Sequence, residues 1–433
     1  MRSIKIKSLH DAVVVAGFIF ILFFNTAGYF SVGDLASASK FLVFGMDPRT
    51  LASYMMLVMS TLNILLSRRV RLVSSTAVLV FALYVFAFSL SPLFNYNGLH
   101  DLNAVVGLLI LIFYCYTLYV FFAGRLLFFL NVLVFYSLIS SLFALLLMLG
   151  ISFGGFYQPS VYSRMVGWYG NPNLLATVLG VGLIICFYLY LVVEGAKSRA
   201  ISLALLFVSL VLTGTKSVLA IVFFILFMCS ILRFFEFIKT LRLTMSSFYF
   251  FCGGSFLLFF TVISLFLMEH ALLEQLADRE RITSASGRTD IWVLYLKDFL
   301  NSDLLSQVVG KGRLYLTQET SLGVSAHSLY VRGLVEHGAI YLLIVMFMFA
   351  STMIYAFFRW VFGGGLFFLF SFFIVLFIAV RNVFTPDLLG STFSTFVFFI
   401  ILFFLYDKKS SEAYCKADKI ARNKFANVGR VHG

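Results

Sequence analysis

Residues 126–149, LLFFLNVLVFYSLISSLFALLLML, contain no charged residue and decide the class of fold. A helix that crosses a bilayer needs about 20 mostly apolar residues, and this stretch is long enough. The rest of the chain has the same character: 61% of its 433 residues are hydrophobic, 12% are charged, and the mean hydropathy is +1.01. Soluble domains carry about 25% charged residues. The composition therefore excludes a soluble enzyme, a nucleic-acid-binding protein and a disordered chain, and it predicts an all-α polytopic membrane protein.

Twelve stretches are long and apolar enough to predict a transmembrane bundle of about 12 spans, and a count of 11 stays open because the seventh stretch is short. The stretches are 12–30, 51–66, 73–91, 103–122, 126–149, 174–193, 200–213, 217–235, 247–268, 328–357, 365–381 and 389–406. We interpret the first one as an uncleaved span, because the small residues at 36–38 lie too far beyond it for a signal-peptide cleavage site. The predicted organisation is nine spans (1–268), a long, partly helical loop (269–327), three spans (328–406) and a basic tail (407–433).

The 32 Lys and Arg residues are distributed unevenly between the two sides of the predicted membrane, and the net charge is +13. With an even number of spans both termini lie on one side, which then holds 20 of the 32. The short loops of the other side hold Lys40, Arg49, Arg164, Lys216 and Arg381. Because cytoplasmic loops collect cations, both termini should be cytoplasmic and the long loop should face the periplasm or the cell exterior. The basic tail is most simply a topology anchor, although it could also touch anionic lipid or an assembly partner.

Neither cysteines nor acidic residues indicate a metal site. The five cysteines are Cys115, Cys186, Cys229, Cys252 and Cys415, with no CxxC pair and no His/Cys cluster. This pattern predicts neither a zinc site nor a disulfide framework. The outer loops also lack an Asp-x-Asp motif. We therefore expect no metal and no cofactor.

Three cations lie at span edges on the cation-poor side: Arg164, Lys216 and Arg381. A Lys or Arg at membrane depth costs about 2.5–3.5 kcal/mol at a helix centre on insertion scales. Such residues usually meet an anion or line a wet cavity, and the alternative is that each side chain snorkels to the interface. Three of them beside a cationic loop favour an anion site.

The long loop has further chemistry. A small-residue turn at 284–287 should precede a helix from Arg288 to Leu300, whose apolar face would lie on the membrane surface or on the bundle. A cation in the first turn of a helix is disfavoured by the helix dipole, so Arg288 there suggests a bound anion. The glycine-rich segment 309–313 could meet phosphate or be a solvated loop. His327 lies at the bilayer edge and is suited to proton transfer, although a lone histidine is more often structural.

These pieces together resemble the O-antigen ligase and polysaccharide polymerase superfamily of membrane glycosyltransferases. The likeness covers roughly residues 160–345, and three pieces carry it. They are Arg164 with Gly167 and Asn171-Pro172-Asn173; Thr213-Gly214-Thr215-Lys216-Ser217; and Ser286-Gly287-Arg288-Thr289-Asp290-Ile291-Trp292, followed by Ala326-His327-Ser328-Leu329-Tyr330 and Glu336-His337-Gly338-Ala339. There are two departures. Ser328 replaces the family's common Asn, and Lys216 stands where ligases usually carry Arg, which tilts the comparison towards the polymerase branch.

The resemblance implies a function in lipopolysaccharide or exopolysaccharide biosynthesis at the bacterial inner (cytoplasmic) membrane. The donor would be an undecaprenyl-diphosphate-linked glycan, and the acceptor another glycan repeat unit in an O-antigen polymerase or a lipid A-core sugar in an O-antigen ligase. His327 and Arg288 would be catalytic, and Arg164 and Lys216 would bind the diphosphate. Membrane lipids and a chain-length regulator are the other expected partners, and nucleic acid is not one.

Two alternatives lie outside enzymes. One is a structural or assembly membrane protein, and the other is a flippase or secondary transporter for lipid-linked sugars, which would share the hydropathy and the basic sites. Transporters tend to show inverted repeats and broken helices near the membrane midplane. The sequence shows no corresponding pairs, and its chemistry-bearing residues gather on one face, which favours an enzyme. The sugars, the linkage, the stereochemical outcome and the oligomeric state stay open.

Overall fold

A computed structural model describes most of the predicted spans and part of the long loop. The described residues are 9–26, 48–67, 74–95, 99–151, 165–169, 171–192, 196–241, 288–312, 328–362, 365–384 and 393–407. Arg164, His327, the ninth predicted span (247–268) and the tail from residue 408 lie outside them. Arg288 is described by its backbone alone. Helices dominate the described residues, and no strand occurs among them, so the predicted all-α class is confirmed.

The described part of the chain contains thirteen α-helices, numbered here in chain order. They are α1 (Leu9–Thr26), α2 (Pro48–Ser67), α3 (Ser75–Phe94), α4 (Leu99–Phe122), α5 (Leu126–Met148), α6 (Pro172–Val192), α7 (Ala196–Leu212), α8 (Lys216–Leu241), α9 (Arg288–Leu300), α10 (Leu304–Val309), α11 (Leu329–Val361), α12 (Leu366–Arg381) and α13 (Phe393–Tyr406). A short 3₁₀ helix, Gly167–Tyr169, precedes α6.

Eleven of the helices carry apolar stretches that overlap predicted spans. Five of them (α3, α4, α5, α6 and α11) are long and apolar enough to cross a membrane, and α1, α2, α7, α8, α12 and α13 carry shorter apolar stretches. A helical membrane protein is the architecture these helices support. The count of twelve spans stays a prediction, because the ninth lies outside the described residues.

Helix α13 forms the centre of the bundle. Every residue from Phe393 to Leu405 is buried, and the helix contacts α1, α3, α4, α6 and α12. A helix that is apolar on all sides is stable only when neighbours surround it. Its phenylalanines pack against aromatic rings of those neighbours, as Phe403 does against Phe81, with ring centroids 4.5 Å apart, and against Tyr119, at 5.6 Å.

Polar contacts between helix ends gather at two opposite ends of the bundle. At one, the Arg125 end, Arg125 Nη1 contacts Asp11 Oδ1 at 3.0 Å, and Arg199 Nη2 donates to Asn131 Oδ1 at 3.2 Å. The other, the Arg381 end, brings together the starts of α6, α8 and α11 and the ends of α3 and α12. Lys216 and Arg381, two of the five cations that the loop charges assign to one side of the membrane, therefore lie at this end. That the Arg381 end faces the periplasm stays a prediction.

The helix predicted from Arg288 to Leu300 is present as α9. Its Tyr295 is buried against Val335 of α11, and partly buried side chains surround this pair: Ile291, Trp292, Phe299 and Val331. The sequence left open whether the apolar face of α9 lies on the membrane surface or on the bundle. The contacts of Tyr295 show that it packs on the bundle.

Candidate functional site

The first two pieces of the motif meet at the start of α6. Pro172 is the first residue of α6, where its missing N–H costs nothing, and Asn171 Oδ1 accepts a hydrogen bond from the Asn173 N–H at 2.8 Å. Thr215 Oγ1 lies 3.4 Å from both Pro172 O and Asn173 Oδ1, as a donor to either. The turn before Lys216 is thus bonded directly to the Asn-Pro-Asn segment.

A second contact places the chain next to Arg164 beside the same turn. The Met165 N–H donates to Leu212 O at 3.0 Å, one residue before Thr213. From there residues 165–169 run into the bundle, and the Tyr169 hydroxyl contacts Ser140 Oγ at 2.9 Å and Tyr136 at 3.0 Å. Met165, the residue after Arg164, therefore lies beside the turn, and Arg164 itself lies outside the described residues.

Two of the predicted cations begin a helix. Lys216 is the first residue of α8, with an exposed side chain, and Arg288 is the first residue of α9. A positive charge at this position is unfavourable against the helix dipole. The same position suits an anion, which the N–H groups of the first turn and the cation hold together.

Arg381 links the start of α6 to the start of α11. It is 1% exposed, its Nε donates to Thr177 Oγ1 at 3.0 Å, and its Nη2 donates to Asn173 O at 3.2 Å. Snorkelling to the interface is therefore the wrong interpretation for Arg381. The next residue, Asn382, accepts a hydrogen bond at its backbone oxygen from the Leu329 N–H at 2.8 Å. Arg381–Asn382 therefore connects the start of α6 to the start of α11, and Leu329 is two residues beyond His327 in the sequence.

The backbone after His327 is held by a helix cap. Ser328 is the N-cap of α11, and its Oγ accepts from the Val331 N–H at 3.5 Å. Ser and Asn are comparably good N-caps. The departure from the family's Asn at this position therefore keeps the capping function.

The Glu-His-Gly piece is buried in the first turns of α11. Arg332 Nε donates to Glu336 Oε1 at 2.9 Å, and the Glu336 side chain is 1% exposed. His337 stacks on Phe88, with ring centroids 4.7 Å apart, and lies 4.9 Å from the ring of Tyr341. The ring contacts of His337 are those of a core residue.

The glycine-rich segment is packed rather than solvated. Lys311 Nζ contacts Asp298 Oδ2 at 2.8 Å, and the Gly310 backbone lies against Glu336. The solvated interpretation is wrong for residues 309–312. Lys311 contacts a carboxylate, and its binding of phosphate stays a prediction. Arg313 lies outside the described residues.

Sequence reasoning missed several polar residues of this end. They are Ser91, Asn95, Thr177, Arg332 and Asn382. A polar side chain near the end of an apolar span is a weak signal that was available for each of them. Their partners are remote in the chain, so no local pattern names them.

The described residues contain no group of three His, Cys, Asp or Glu that could hold a metal ion. Comparison with known proteins does not assign the chain to a family: no protein-family model matches it, and no curated protein matches it. The resemblance to the ligase and polymerase superfamily therefore stays a prediction.

Proposed function

We propose that this chain is a membrane glycosyltransferase that polymerises undecaprenyl-diphosphate-linked oligosaccharide repeat units into O-antigen or exopolysaccharide. The reaction takes place at the Arg381 end, on the periplasmic face of the bacterial inner membrane. It needs no metal ion, because cationic side chains hold the diphosphate.

One observation carries the proposal: pieces of the motif that are far apart in the chain are joined by contacts at one end of the bundle. Met165 bonds to Leu212, and Thr215 contacts Asn173. Arg381 then bonds to Asn173, and its neighbour Asn382 bonds to Leu329. This convergence, with Lys216 and Arg288 at two helix starts, supports an anion-binding site at this end.

The chemistry assigns each residue a role. A hydroxyl oxygen of the acceptor sugar attacks the anomeric carbon, the bond from that carbon to the diphosphate oxygen breaks, and His327 takes the hydroxyl proton. Negative charge grows on the leaving diphosphate in the transition state. Arg288, Arg164 and Lys216 stabilise that charge, and such stabilisation is most effective when the cations are already oriented before the reaction.

The test is a surface-glycan gel from a strain that lacks the protein, complemented with the wild type or with His327→Ala. A polymerase predicts that the deletion leaves single repeat units attached to the core, and that His327→Ala inserts normally but does not restore the polymer. A bare core with accumulated lipid-linked polymer would assign the ligase activity instead. An unchanged glycan profile would overturn the proposal.

A second measurement separates the enzyme from a flippase. Purified protein in detergent is incubated with lipid-linked repeat units, and new glycosidic bonds are detected by mass spectrometry. An enzyme forms them in detergent micelles, whereas a transporter needs a closed membrane and forms none.

A further inference from the structure

Two polar side chains at the end of α3 contact the loop and α11. Ser91 Oγ donates to Glu336 O at 2.6 Å, and Asn95 Nδ2 donates to Gly310 O at 2.6 Å. Ser91 is fully buried, and Asn95 is the C-cap of α3. Both acceptors are backbone carbonyl oxygens, so these bonds constrain the path of the chain itself.

The two acceptors belong to segments that pack backbone against backbone. Gly338 has φ 84° and ψ 176°, which interrupts the helical geometry of α11. The Lys311 N–H donates to Val335 O at 2.9 Å, and the Gly312 N–H donates to Glu336 O at 3.2 Å. A Cβ atom on Gly338 would overlap the backbone of the loop. We call this contact, between residues 308–312 and 335–338, the loop seat.

Side chains tie α9 and α10 into one unit above the loop seat. Lys311 Nζ contacts Asp298 Oδ2 of α9 at 2.8 Å, and Gln307 Nε2 of α10 donates to Leu300 O at 3.1 Å. The position of α9, whose first residue is Arg288, therefore depends on how α10 is seated on α11.

The loop seat also fixes where the segment that carries His327 begins. Gly312 is the last described residue before that segment and is bonded to Glu336, and the described chain resumes at Ser328, the N-cap of α11. Ser328 and Glu336 are eight residues apart on a helix, which is about 12 Å. Gly312 and Ser328, the described residues that flank it, thus both lie at the first turns of α11.

We propose that Ser91 and Asn95 are positioning residues that hold the loop seat and thereby set the position of α9 for the transfer of a lipid-linked glycan. Helix α3 lies outside the part of the chain that carries the family resemblance. The claim that these residues affect glycosyl transfer rests on the proposed function. The claim that their hydrogen bonds hold the loop seat does not.

The first experiment measures the loop seat without activity, by hydrogen–deuterium exchange of peptides spanning residues 305–315 in the full-length protein. Asn95→Asp keeps the shape of the side chain but replaces the N–H donor by oxygen, and Ser91→Val removes the hydroxyl. We expect exchange of the Lys311 and Gly312 amides to be roughly fivefold faster, because one net hydrogen bond is worth about 1 kcal/mol and 1.36 kcal/mol corresponds to a factor of ten. Asn95→Gln and Ser91→Thr retain a donor and should exchange like the wild type.

A matched control tests whether any lost hydroxyl has this effect. Thr61 Oγ1 donates to Leu57 O within α2 and is exposed. Thr61→Val should leave exchange of the 305–315 peptides unchanged.

The second experiment measures glycosyl transfer by the same variants, per folded protein. Asn95→Asp and Ser91→Val should lower kcat roughly tenfold with KM little changed, because alignment acts on the transition state, and Asn95→Gln and Ser91→Thr should restore kcat. A general loss of folded protein would not produce that rescue at constant KM.

Three outcomes overturn parts of the inference in distinguishable ways. Unchanged exchange in both donor-less variants would overturn the holding of the loop seat. Faster exchange with wild-type kcat would overturn the positioning role. Faster exchange in the variants of a chain that transfers no glycan would overturn the proposed function, and the catalytic part of this inference with it.

Discussion

The two ends of the bundle use arginine differently. At the Arg125 end, Arg125 is half-exposed, pairs with the carboxylate of Asp11 and lies over the ring of Phe121, with 4.6 Å between Cζ and the ring centroid. At the other end Arg381 is buried and donates to a hydroxyl and a backbone carbonyl of α6. The Arg125 guanidinium thus has a carboxylate to neutralise it, whereas the buried Arg381 guanidinium is held by neutral acceptors in the bonds described above, an arrangement that is costly and often functional.

Glycines show the same contrast. Gly124, near the Arg125 end, has φ 77° and open space around the position of a Cβ atom. Gly338, near the Arg381 end, has φ 84° but contacts the loop backbone directly. The comparison teaches that the Arg381 end accepts unfavourable local geometry in order to bring remote segments together, and natural proteins concentrate such features at functional sites.

The largest expected effect comes from the two glycines. Gly338→Ala should destabilise the protein by about 3 kcal/mol or more, because a positive φ costs about 1–2 kcal/mol and the backbones of the loop seat must also separate. Gly124→Ala carries the φ cost alone and should lose about 1–2 kcal/mol. Thermal unfolding of both variants in detergent measures the difference. Equal losses would break the comparison between the two ends.

The arginines come next. Arg381→Gln should lower glycosyl transfer roughly 100-fold at normal insertion, and Arg381→Lys should rescue little, because Lys lacks the planar set of donors. Arg125→Gln should leave transfer near the wild-type rate and cost about 1–3 kcal/mol of stability, because the buried Asp11 carboxylate loses its cationic partner. The measurements are the glycosyl-transfer rates of the purified variants, together with their expression levels by immunoblot. A comparable loss of activity in Arg125→Gln would contradict the assignment of chemistry to the Arg381 end.

A smaller effect sharpens the assignment within the Arg381 end. Thr177→Val keeps the side-chain shape and removes the hydroxyl that accepts from Arg381. A hydrogen bond to a charged group is worth about 1.5–3 kcal/mol, so transfer should fall at least about tenfold while Thr177→Ser stays close to the wild type. Steady-state kinetics of the two variants provide the measurement. A Thr177→Ser enzyme as slow as Thr177→Val would show that the methyl group, not the hydroxyl, matters.

The smallest effect concerns pH at the edge of the Arg381 end. The Ser306 backbone N–H and then the Ser306 hydroxyl lower the pKa of Asp303, the N-cap of α10. A lowered folded-state pKa stabilises the fold above the unfolded value of about 3.9, and this contribution disappears as the pH falls through the lower folded value. Asp303→Asn should therefore be slightly less stable than the wild type at neutral pH, and the difference should vanish in acid. Unfolding midpoints across pH 2–7 would show a constant difference if the carboxylate is not involved.

Much of the architecture was predictable because hydrophobicity and charge are properties of individual residues and can be read from the sequence without knowledge of the fold. Runs of apolar residues predicted a helix at eleven described positions, and the spacing of Ile291, Trp292, Tyr295 and Phe299 predicted the apolar face of α9. The sequence did not predict that this face packs on α11, since a membrane surface would satisfy the same pattern.

The sequence predicted which residues are candidates for the site, but it did not predict which residues they contact. The sequence identified Arg164, Lys216, Arg288 and His327 as candidates, and the described neighbours of these residues lie at one end of the bundle. It suggested phosphate for Lys311, whereas that side chain contacts Asp298. A basic residue in a glycine-rich segment carries no local sign of whether a carboxylate from the preceding helix will reach it.

The sequence by itself determined that this is a helical membrane protein with its cations distributed asymmetrically, because those properties follow from composition and run length. Only the tertiary structure decided that Ser91 would meet Glu336, 245 residues further along the chain, and that Arg381 would meet Thr177, 204 residues before it. The physical reason is that a hydrogen bond between remote residues forms only where helix packing brings its two ends within about 3 Å of each other, and no local sequence pattern encodes that meeting.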